Sequence, residues 1–318
     1  MLKRNILGRT GIEVTELCFG ALPFGPLQKN LSVEECTNIL SLALEGGINF
    51  IDTAQAYKTY EPIYRAINKV GIRPVIATKS GAKTYEDMQK AVDEALKALD
   101  TDYIDIFHLH AARAGIDVFD ERRGAFECLL ENKEKGRIRA VGISTHSAAV
   151  TKLAAGVQEV DVVFPIINIK GMGILHGTRD EMTEAIAACS SSNKGVYLMK
   201  VLAGGTLVEE FHDSVSYARS IPGYASIALG MVSTQEVEFN IEYFKQSNPD
   251  ISNMPSIKGY KKQFKIIDFI CKNCGTCSAI CPNSAISQTT KGAMIDQDKC
   301  LQCGYCVGEC KEFAIRII

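Results

Sequence analysis

Eight short apolar segments alternate with longer amphipathic segments along most of the chain. The apolar segments are rich in Val, Ile and Phe, and in chain order they read ELCFGAL, INFIDTA, PVIATKS, IDIFHLH, AVGISTH, VVFPIINI, VYLMKVLAG and YASIALGM. This alternation is typical of strand and crossover-helix units around a parallel sheet. Eight such units over about 230 residues predict an α/β fold of the (β/α)8 TIM-barrel type. An open doubly wound sheet is the alternative, but no GxGxxG follows the first strand.

The chain divides into a large and a small domain. Its 318 residues, of which 46% are hydrophobic, suffice for a sizeable core. We expect the barrel to occupy residues 1–246, with KRNILGRTGIEV as a hairpin at its bottom. Residues 247–265 are polar and contain prolines, which indicates a linker. Residues 266–318 then form a small α+β domain with one internal repeat.

The overall charge excludes some classes of partner. The formal net charge is -2, with both signs interspersed, so nothing favours nucleic acid or an anionic membrane. The first residues lack the apolar run of a signal peptide, and no long apolar stretch predicts a transmembrane helix. We therefore expect a cytoplasmic protein that acts on a small-molecule substrate.

Eight of the twelve cysteines fall within the last 48 residues. They occur in two similar motifs, CKNCGTCSAICP and CLQCGYCVGECK. In CxxCxxC three thiolates can bind one iron-sulfur cluster, and a fourth cysteine followed by proline reaches a second cluster. Disulfides and zinc are the competing interpretations, and the interlaced spacing favours them less. The remaining cysteines are predicted to be buried in the core and reduced: Cys18, Cys36, Cys128 and Cys189.

Polar residues follow three successive predicted strands. They are Asp52 and Tyr57 after the second strand, Lys79 at the end of the third and His110 at the end of the fourth. Active sites of TIM barrels lie at the carboxyl ends of the strands, so these four residues are candidates for catalysis. A nearby Lys79 ammonium is expected to lower the pKa of Tyr57, and His110 could hydrogen-bond a carbonyl oxygen. A turn cap, a packed tyrosine and a solvated lysine are the structural alternatives.

These motifs resemble those of the aldo-keto reductase family. The resemblance spans residues 1–246 and is carried by LGRTGIEVTELCFG, FIDTAQAY, IATKS, YIDIFHLH, VGISTH, LAGG and GMVSTQEVEFN. It implies that Asp52, Tyr57, Lys79 and His110 form the catalytic tetrad of the family. It also implies that Tyr57 is the general acid in carbonyl reduction, with hydride delivered from a nicotinamide.

The same resemblance implies a set of cofactor contacts. They are Ser144, Thr145, Asn168, Leu202, Gly204, Gly205, Gly230, Ser233, Glu236 and Asn240. Phe164 and Ile167 replace the family's glutamine and its stacking tyrosine, which weakens the expected grip on a nicotinamide. Glu236 would repel the 2'-phosphate of NADP(H), so NAD(H) is favoured over NADP(H). The weakened contacts and the LAGG turn also leave FMN as an alternative cofactor.

The C-terminal motifs resemble those of bacterial ferredoxins with two clusters. The resemblance implies one [4Fe-4S] cluster on Cys271, Cys274, Cys277 and Cys310. It implies a second [4Fe-4S] cluster on Cys300, Cys303, Cys306 and Cys281. Lys311 replaces the usual second proline, which alters a turn and no ligand.

Three functions are compatible with this combination. In the first, the protein interconverts a carbonyl and an alcohol and exchanges electrons through its clusters. In the second, a flavin in the barrel links two-electron and one-electron chemistry. In the third, the protein is a non-catalytic electron-transfer subunit. All three allow an external electron donor or acceptor protein as a partner. Of the other histidines, His146 at the end of the fifth strand could contact the substrate, and His108 is expected to point away from His110.

Overall fold

The structure is a computed structural model. It describes residues 1–26, 28–246, 249, 263–281, 283–300 and 305–317. Most of the predicted linker lies outside the described residues. No helix within these ranges has the length and apolarity needed to cross a membrane.

Eight parallel strands close into a barrel, as the alternating pattern predicts. Neighbouring strands pair in chain order, and the last strand pairs with the first. The strands are β3 (Leu17–Gly20), β4 (Phe50–Asp52), β5 (Val75–Ser80), β6 (Ile104–His110), β7 (Ile138–Thr145), β8 (Val162–Pro165), β9 (Gly195–Leu198) and β10 (Ser226–Leu229). Each overlaps one of the eight apolar segments, and only β7 and β9 begin one or two residues before theirs, so the predicted fold class is confirmed.

Amphipathic helices surround the barrel. They are α1 (Val33–Glu45), α2 (Tyr60–Val70), α3 (Tyr85–Leu99), α4 (Val118–Glu121), α5 (Arg123–Glu134), α6 (Ala148–Gly156), α7 (Arg179–Ser191), α8 (Phe211–Ser220) and α9 (Thr234–Lys245). Polar caps define several helix starts. Ser32 and Glu35 form a capping box before α1, and the Ser233 hydroxyl accepts from the backbone N–H of Glu236 at the start of α9.

An antiparallel hairpin precedes the barrel. Its strands are β1 (Arg4–Ile6) and β2 (Glu13–Thr15). Leu7 between them is fully buried against Gly195, the first residue of β9. Because Gly195 lies at the amino end of a barrel strand, the hairpin covers the bottom of the barrel, as predicted.

A small domain follows the barrel and has a core of its own. It contains two antiparallel strand pairs, β11 with β14 and β12 with β13, and two short helices. Their bounds are β11 (Phe264–Ile266), α10 (Thr276–Ile280), β12 (Ile286–Thr289), β13 (Gly292–Ile295), α11 (Tyr305–Glu309) and β14 (Ile315–Ile317). The core includes several of its cysteines, which is typical of a domain too short to fold without metal clusters.

The segment leading into β14 packs against the carboxyl end of the barrel. Phe313 belongs to the hydrophobic core of the barrel and is 2% exposed. In the opposite direction, Met172 of the barrel packs against the core of the small domain. An ion pair joins Arg113 to Glu312 at 3.0 Å. The small domain therefore lies at the end of the barrel where a TIM-barrel active site is expected.

Candidate active site

A buried ion pair lies at the centre of the barrel mouth. Asp52 is the last residue of β4, and Lys79 lies near the end of the neighbouring β5. The Nζ atom of Lys79 donates to both carboxylate oxygens of Asp52, at 2.8 and 2.7 Å, and to the carbonyl oxygen of Thr53 at 2.7 Å. Both side chains are almost fully buried. Because three oxygen atoms surround the Nζ atom, Lys79 is held in one orientation.

Tyr57 and His110 lie beside this pair. Tyr57 ends a short 3-10 turn after β4, and its ring centroid is 5.0 Å from the Nζ atom of Lys79. The ring of His110, at the end of β6, meets the ring of Tyr57 edge-on at 6.2 Å between centroids. Gly25 allows this arrangement, because a Cβ atom there would lie 2.0 Å from the carbonyl oxygen of Tyr57. The structure thus brings the four predicted catalytic residues together.

Burial controls the protonation of these residues. It raises the pKa of Tyr57, and the Lys79 ammonium offsets only part of that increase. The expectation that Lys79 would leave Tyr57 with a lowered pKa is therefore wrong in its net direction, since the sequence pattern does not show how deeply the ring is buried. Burial and the charges of Lys79, Lys200 and Arg122 lower the pKa of His110 to about 3.

Opposing effects determine the pKa of Lys79 in this ion pair. Burial is the largest single effect and would by itself lower the pKa of Lys79, but the charges of Asp52 and Tyr57 and the hydrogen bonds to Asp52 together outweigh it, and the net pKa is raised. Lys79 is therefore an ammonium at neutral pH. Tyr57 and His110 are neutral there.

Sequence reasoning missed a second layer beneath the tetrad. The hydroxyl of Tyr197 donates to Asp52 at 2.9 Å and lies 2.8 Å from Nε2 of His108. Its ring stacks on Phe164 at 3.8 Å between centroids. His108 therefore points into the barrel on the same side as His110, and the expectation that it points away is wrong. Residues two apart on a strand face the same side.

One cavity connects the tetrad with the predicted cofactor region. It has a volume of about 290 Å³, and it is lined by Asp52 and Tyr57 at the barrel centre. From there it extends past the loop after β9 to the start of α9. Six predicted cofactor contacts line it: Leu202, Gly204, Gly205, Gly230, Glu236 and Asn240. An elongated cavity of this kind suits an extended ligand such as a dinucleotide.

Four other predicted contacts do not line this cavity. Ser144 and Thr145 are buried in β7, and Ser233 caps α9. Both ends of the Asn168 amide bond the backbone of Met172 at 2.9 Å, so this side chain holds its own loop. Their roles as cofactor contacts stay predictions.

Four cysteines line a smaller cavity in the other domain. Cys271, Cys274, Cys277 and Cys310 are all in its wall, which is the set that the ferredoxin resemblance assigns to one cluster. Burial raises the pKa of Cys277, and so do the neighbouring charges of the other three. Backbone N–H groups also point at two of the sulfur atoms, at 3.4 Å for Cys271 and 3.2 Å for Cys310. This donor set fits an iron-sulfur cluster.

The second predicted cluster set is only partly described. Cys281, Cys300 and Cys306 pack around the core of the small domain, and Cys303 lies outside the described residues. Among the described residues, no group of three or more His, Cys, Asp or Glu side chains is arranged to hold a single metal ion. The four cysteines predicted to be core residues of the barrel are buried and reduced, as expected: Cys18, Cys36, Cys128 and Cys189.

Two basic side chains at the cavity were also missed. Lys200 follows β9, and Arg316 lies in β14 of the small domain, yet both line the same cavity as Tyr57. Each interrupts an otherwise apolar stretch, VYLMKVLAG and FAIRII. A charge within an apolar strand is a signal that could have identified them.

A closed barrel with its polar cluster at the carboxyl ends of the strands defines an enzyme of the TIM-barrel class. Within that class, the model of the aldo/keto reductase family matches residues 16–220, and the chain belongs to this family. A model of the 4Fe-4S dicluster domain matches residues 264–311. The chain thus combines a domain of this oxidoreductase family with a 4Fe-4S dicluster domain.

Known relatives are similar to parts of the chain. The uncharacterized oxidoreductase YqkF of Bacillus subtilis is 32% identical over 168 residues, which are 48% of this chain and 51% of YqkF. Methylglyoxal reductase DkgA of Escherichia coli is 26% identical over 182 residues, 54% of this chain and 64% of DkgA. The chain thus spans between half and two thirds of the length of these relatives.

The fold is shared with solved structures. The holo form of an aldo-keto reductase from Bacillus halodurans superposes with a TM-score of 0.65 at 21% identity. The match covers 79% of this chain and 93% of that protein. At this identity the likeness concerns the fold alone.

Proposed function

We propose that the protein interconverts a carbonyl and an alcohol, with Tyr57 as the acid and base and with electrons exchanged through two [4Fe-4S] clusters. The observation that supports this most directly is the buried pair of Lys79 and Asp52 beside Tyr57 in one cavity. A fixed ammonium next to a tyrosine stabilises the phenolate that remains after the tyrosine has given up its proton.

Each residue of the tetrad has a defined part in reduction. The carbonyl carbon receives a hydride while the carbonyl oxygen receives the hydroxyl proton of Tyr57, which solvent then replaces. The raised pKa of Tyr57 keeps that proton in place at neutral pH. His110, whose pKa is about 3, is a neutral hydrogen-bond donor toward the oxygen. Asp52 keeps Lys79 charged and oriented.

The cavity supports a nicotinamide nucleotide as the cofactor. When bound there, such a nucleotide supplies the hydride. Glu236 favours NADH, because its carboxylate lines the far end of the cavity and is fixed by the backbone N–H of Val232 at 2.7 Å. We expect Glu236→Gln to tighten NADPH binding about tenfold or more and to leave NADH binding unchanged. Fluorescence titration measures both dissociation constants, and an unchanged affinity for NADPH contradicts this assignment.

FMN is the second candidate cofactor. A hydride carries two electrons, whereas each iron-sulfur cluster transfers one, so the two do not exchange directly. The observation that favours a flavin is Phe164, an apolar ring in the cavity wall where the family resemblance leads one to expect a glutamine. Acid precipitation of protein with full iron content, followed by a flavin assay of the supernatant, decides this point. A flavin-free supernatant removes this candidate.

The main proposal is tested with Tyr57→Phe. Since one relative is named a methylglyoxal reductase, methylglyoxal with NADH under anaerobic conditions is the first assay. We expect Tyr57→Phe to lower kcat by about 100-fold or more, because the positioned proton donor is lost. Tyr64→Phe, the same change on α2, is the control.

The same variant distinguishes an enzyme from an electron-transfer subunit. Electron transfer from dithionite through the clusters to a viologen dye should be unaffected by Tyr57→Phe. If the unaltered protein and Tyr57→Phe reduce methylglyoxal and a panel of other carbonyl compounds equally well, Tyr57 is not the proton donor. If the unaltered protein reduces the viologen dye but none of the carbonyl compounds, a non-catalytic electron-transfer function is favoured.

A further inference from the structure

Two basic side chains from different domains meet at the mouth of the cavity. Lys200 comes from the barrel and Arg316 from the small domain, and both line the cavity that contains Tyr57. They also contact one aromatic ring. The Nζ atom of Lys200 lies 3.9 Å from the ring centroid of Phe313, and the guanidinium carbon of Arg316 lies 4.5 Å from it. The two charges are therefore near each other beside the catalytic residues.

Neither charge has a carboxylate partner among the described residues, although the ionised forms of Tyr57 and Cys310 attract the charge of Arg316. None of the ion pairs formed there includes Lys200 or Arg316. Arg316 donates to backbone carbonyl oxygens, that of Phe313 and that of Ile315 at 3.1 Å. Lys200 lies 3.1 Å from Nε2 of His146, a neutral ring. Glu312, an acidic residue of the segment that precedes β14, pairs with Arg113 instead.

Shielding two such charges from solvent, Arg316 almost fully and Lys200 in part, is unfavourable. Burial and the neighbouring charges of Arg316 and Arg113 hold the pKa of Lys200 well below its ordinary value. Burial lowers the pKa of Arg316 to about 10. A fold that holds uncompensated positive charge beside its reacting groups is expected where a bound anion supplies the missing negative charge.

We propose that Lys200 and Arg316 together bind the carboxylate of the substrate, so that the substrates are short 2-oxo acids and the corresponding 2-hydroxy acids. The inference rests on the proposed carbonyl chemistry at Tyr57. It follows from position, since Lys200 and Arg316 line the same cavity as Tyr57 and both contact the ring of Phe313. An anion between the two cations lies close to the position of the reacting carbonyl.

An oxyanion could also come from the phosphates of the cofactor. The position of Lys200 favours the substrate, because its Nζ atom contacts His146, directly after β7 and on the side of His110. The expected phosphate region is the following turn, Leu202 to Gly205. The test therefore measures the affinity for the nucleotide and the affinity for the carboxylate separately.

The experiment is calorimetric titration of the anaerobic full-length protein with its clusters in place. Its two probes are pyruvate and pyruvamide, which have nearly the same shape and differ in charge. The variants are Lys200→Met and Arg316→Met, with Lys200→Arg to retain the charge and Lys152→Met, on the exposed side of α6, as the control. Binding is measured without turnover, so a carboxylate site is detected even if Tyr57, the proton donor of the proposed function, proves not to be catalytic.

We expect pyruvate to bind at least tenfold more tightly than pyruvamide. Each Met variant should weaken pyruvate binding by about 30-fold and leave pyruvamide unchanged, because one of two charge-assisted contacts is lost. Lys200→Met should also raise the thermal midpoint, since it removes a partly buried charge that Arg316 and Arg113 repel. If Lys200 instead had a structural role, the same substitution would lower the thermal midpoint.

Three results overturn the inference. The first is equal affinity of the unaltered protein for the two probes. The second is the lack of saturable pyruvate binding in the millimolar range. The third is a loss of NADH or FMN affinity in the Met variants with pyruvate binding retained, which assigns the oxyanion site to the cofactor. The first two results concern the unaltered protein and hold even where a variant fails to fold.

Discussion

Replacing Phe313 by alanine tests how the two domains are joined. The ring is 2% exposed and packs into the barrel beside Lys200 and His146, 5.5 Å from the centroid of the latter. It also fills the space over Gly173, where a Cβ atom would lie 2.3 Å from the ring. Truncating a buried phenylalanine costs about 3 to 5 kcal/mol from lost transfer energy and the cavity left behind. We expect the apparent free energy of unfolding of the small domain to fall by that amount.

The assay is anaerobic guanidinium denaturation followed by two probes. Far-UV circular dichroism reports mainly on the barrel, and visible absorption reports on the clusters. In Phe313→Ala the cluster transition should move to lower denaturant and separate from the barrel transition. Phe269→Ala is the matched control, since Phe269 of the small domain is 76% exposed, and it should change stability by less than about 0.5 kcal/mol. A loss below about 1 kcal/mol for Phe313→Ala, with coincident transitions, would refute the docking described here.

Three more predictions follow from the site. Asp52→Asn should lower the free energy of unfolding by about 3 to 5 kcal/mol, because Lys79 becomes an unpaired buried charge. Urea denaturation measures this free energy, and an unchanged value contradicts the assigned ion pair. The rate of reduction of methylglyoxal, which has no carboxylate for Lys200 to bind, should show no inflection near pH 6.5, since the pKa of His110 is about 3 and that of Tyr57 is raised above its usual value near 10. A pH profile of this rate with an inflection near 6.5 would refute the prediction. Removal of iron with a chelator should unfold the small domain and leave the circular dichroism of the barrel largely intact; retained structure of the small domain without iron would contradict a cluster-dependent fold.

The small domain contributes part of the wall of the active-site cavity. In the fold described here, Arg316 reaches the cavity only because β14 lies across the barrel mouth. The adjoining turn also carries Cys310, whose carbonyl oxygen accepts from the N–H of Phe313 at 2.7 Å. Cys310, a predicted cluster ligand, and Arg316, which lines the cavity, are thus within seven positions of each other. A change at the cluster is therefore expected to affect the substrate cavity directly.

The sequence by itself determined the architecture and the tetrad positions. Strand alternation and the strand ends are local properties, so the barrel could be predicted, as could the placement of Asp52, Lys79 and His110 at the carboxyl ends of their strands. The spacing of the cysteines is also local, and it predicted the dicluster domain that the family comparison confirms. Capping by Ser32 and Ser233 follows from the same short-range rules.

Only the tertiary structure decided what surrounds those residues. The net pKa of Tyr57 depends on burial by distant segments, and the layer of Tyr197 and His108 beneath Asp52 depends on strands that are far apart in sequence. The contact of Arg316 and Phe313 with the barrel requires the packing of one domain on another, and the hydrophobic pattern of the sequence does not predict such packing. Long-range packing and desolvation act on the folded chain as a whole, and for that reason the chemistry of the cavity could not be derived from the local pattern alone.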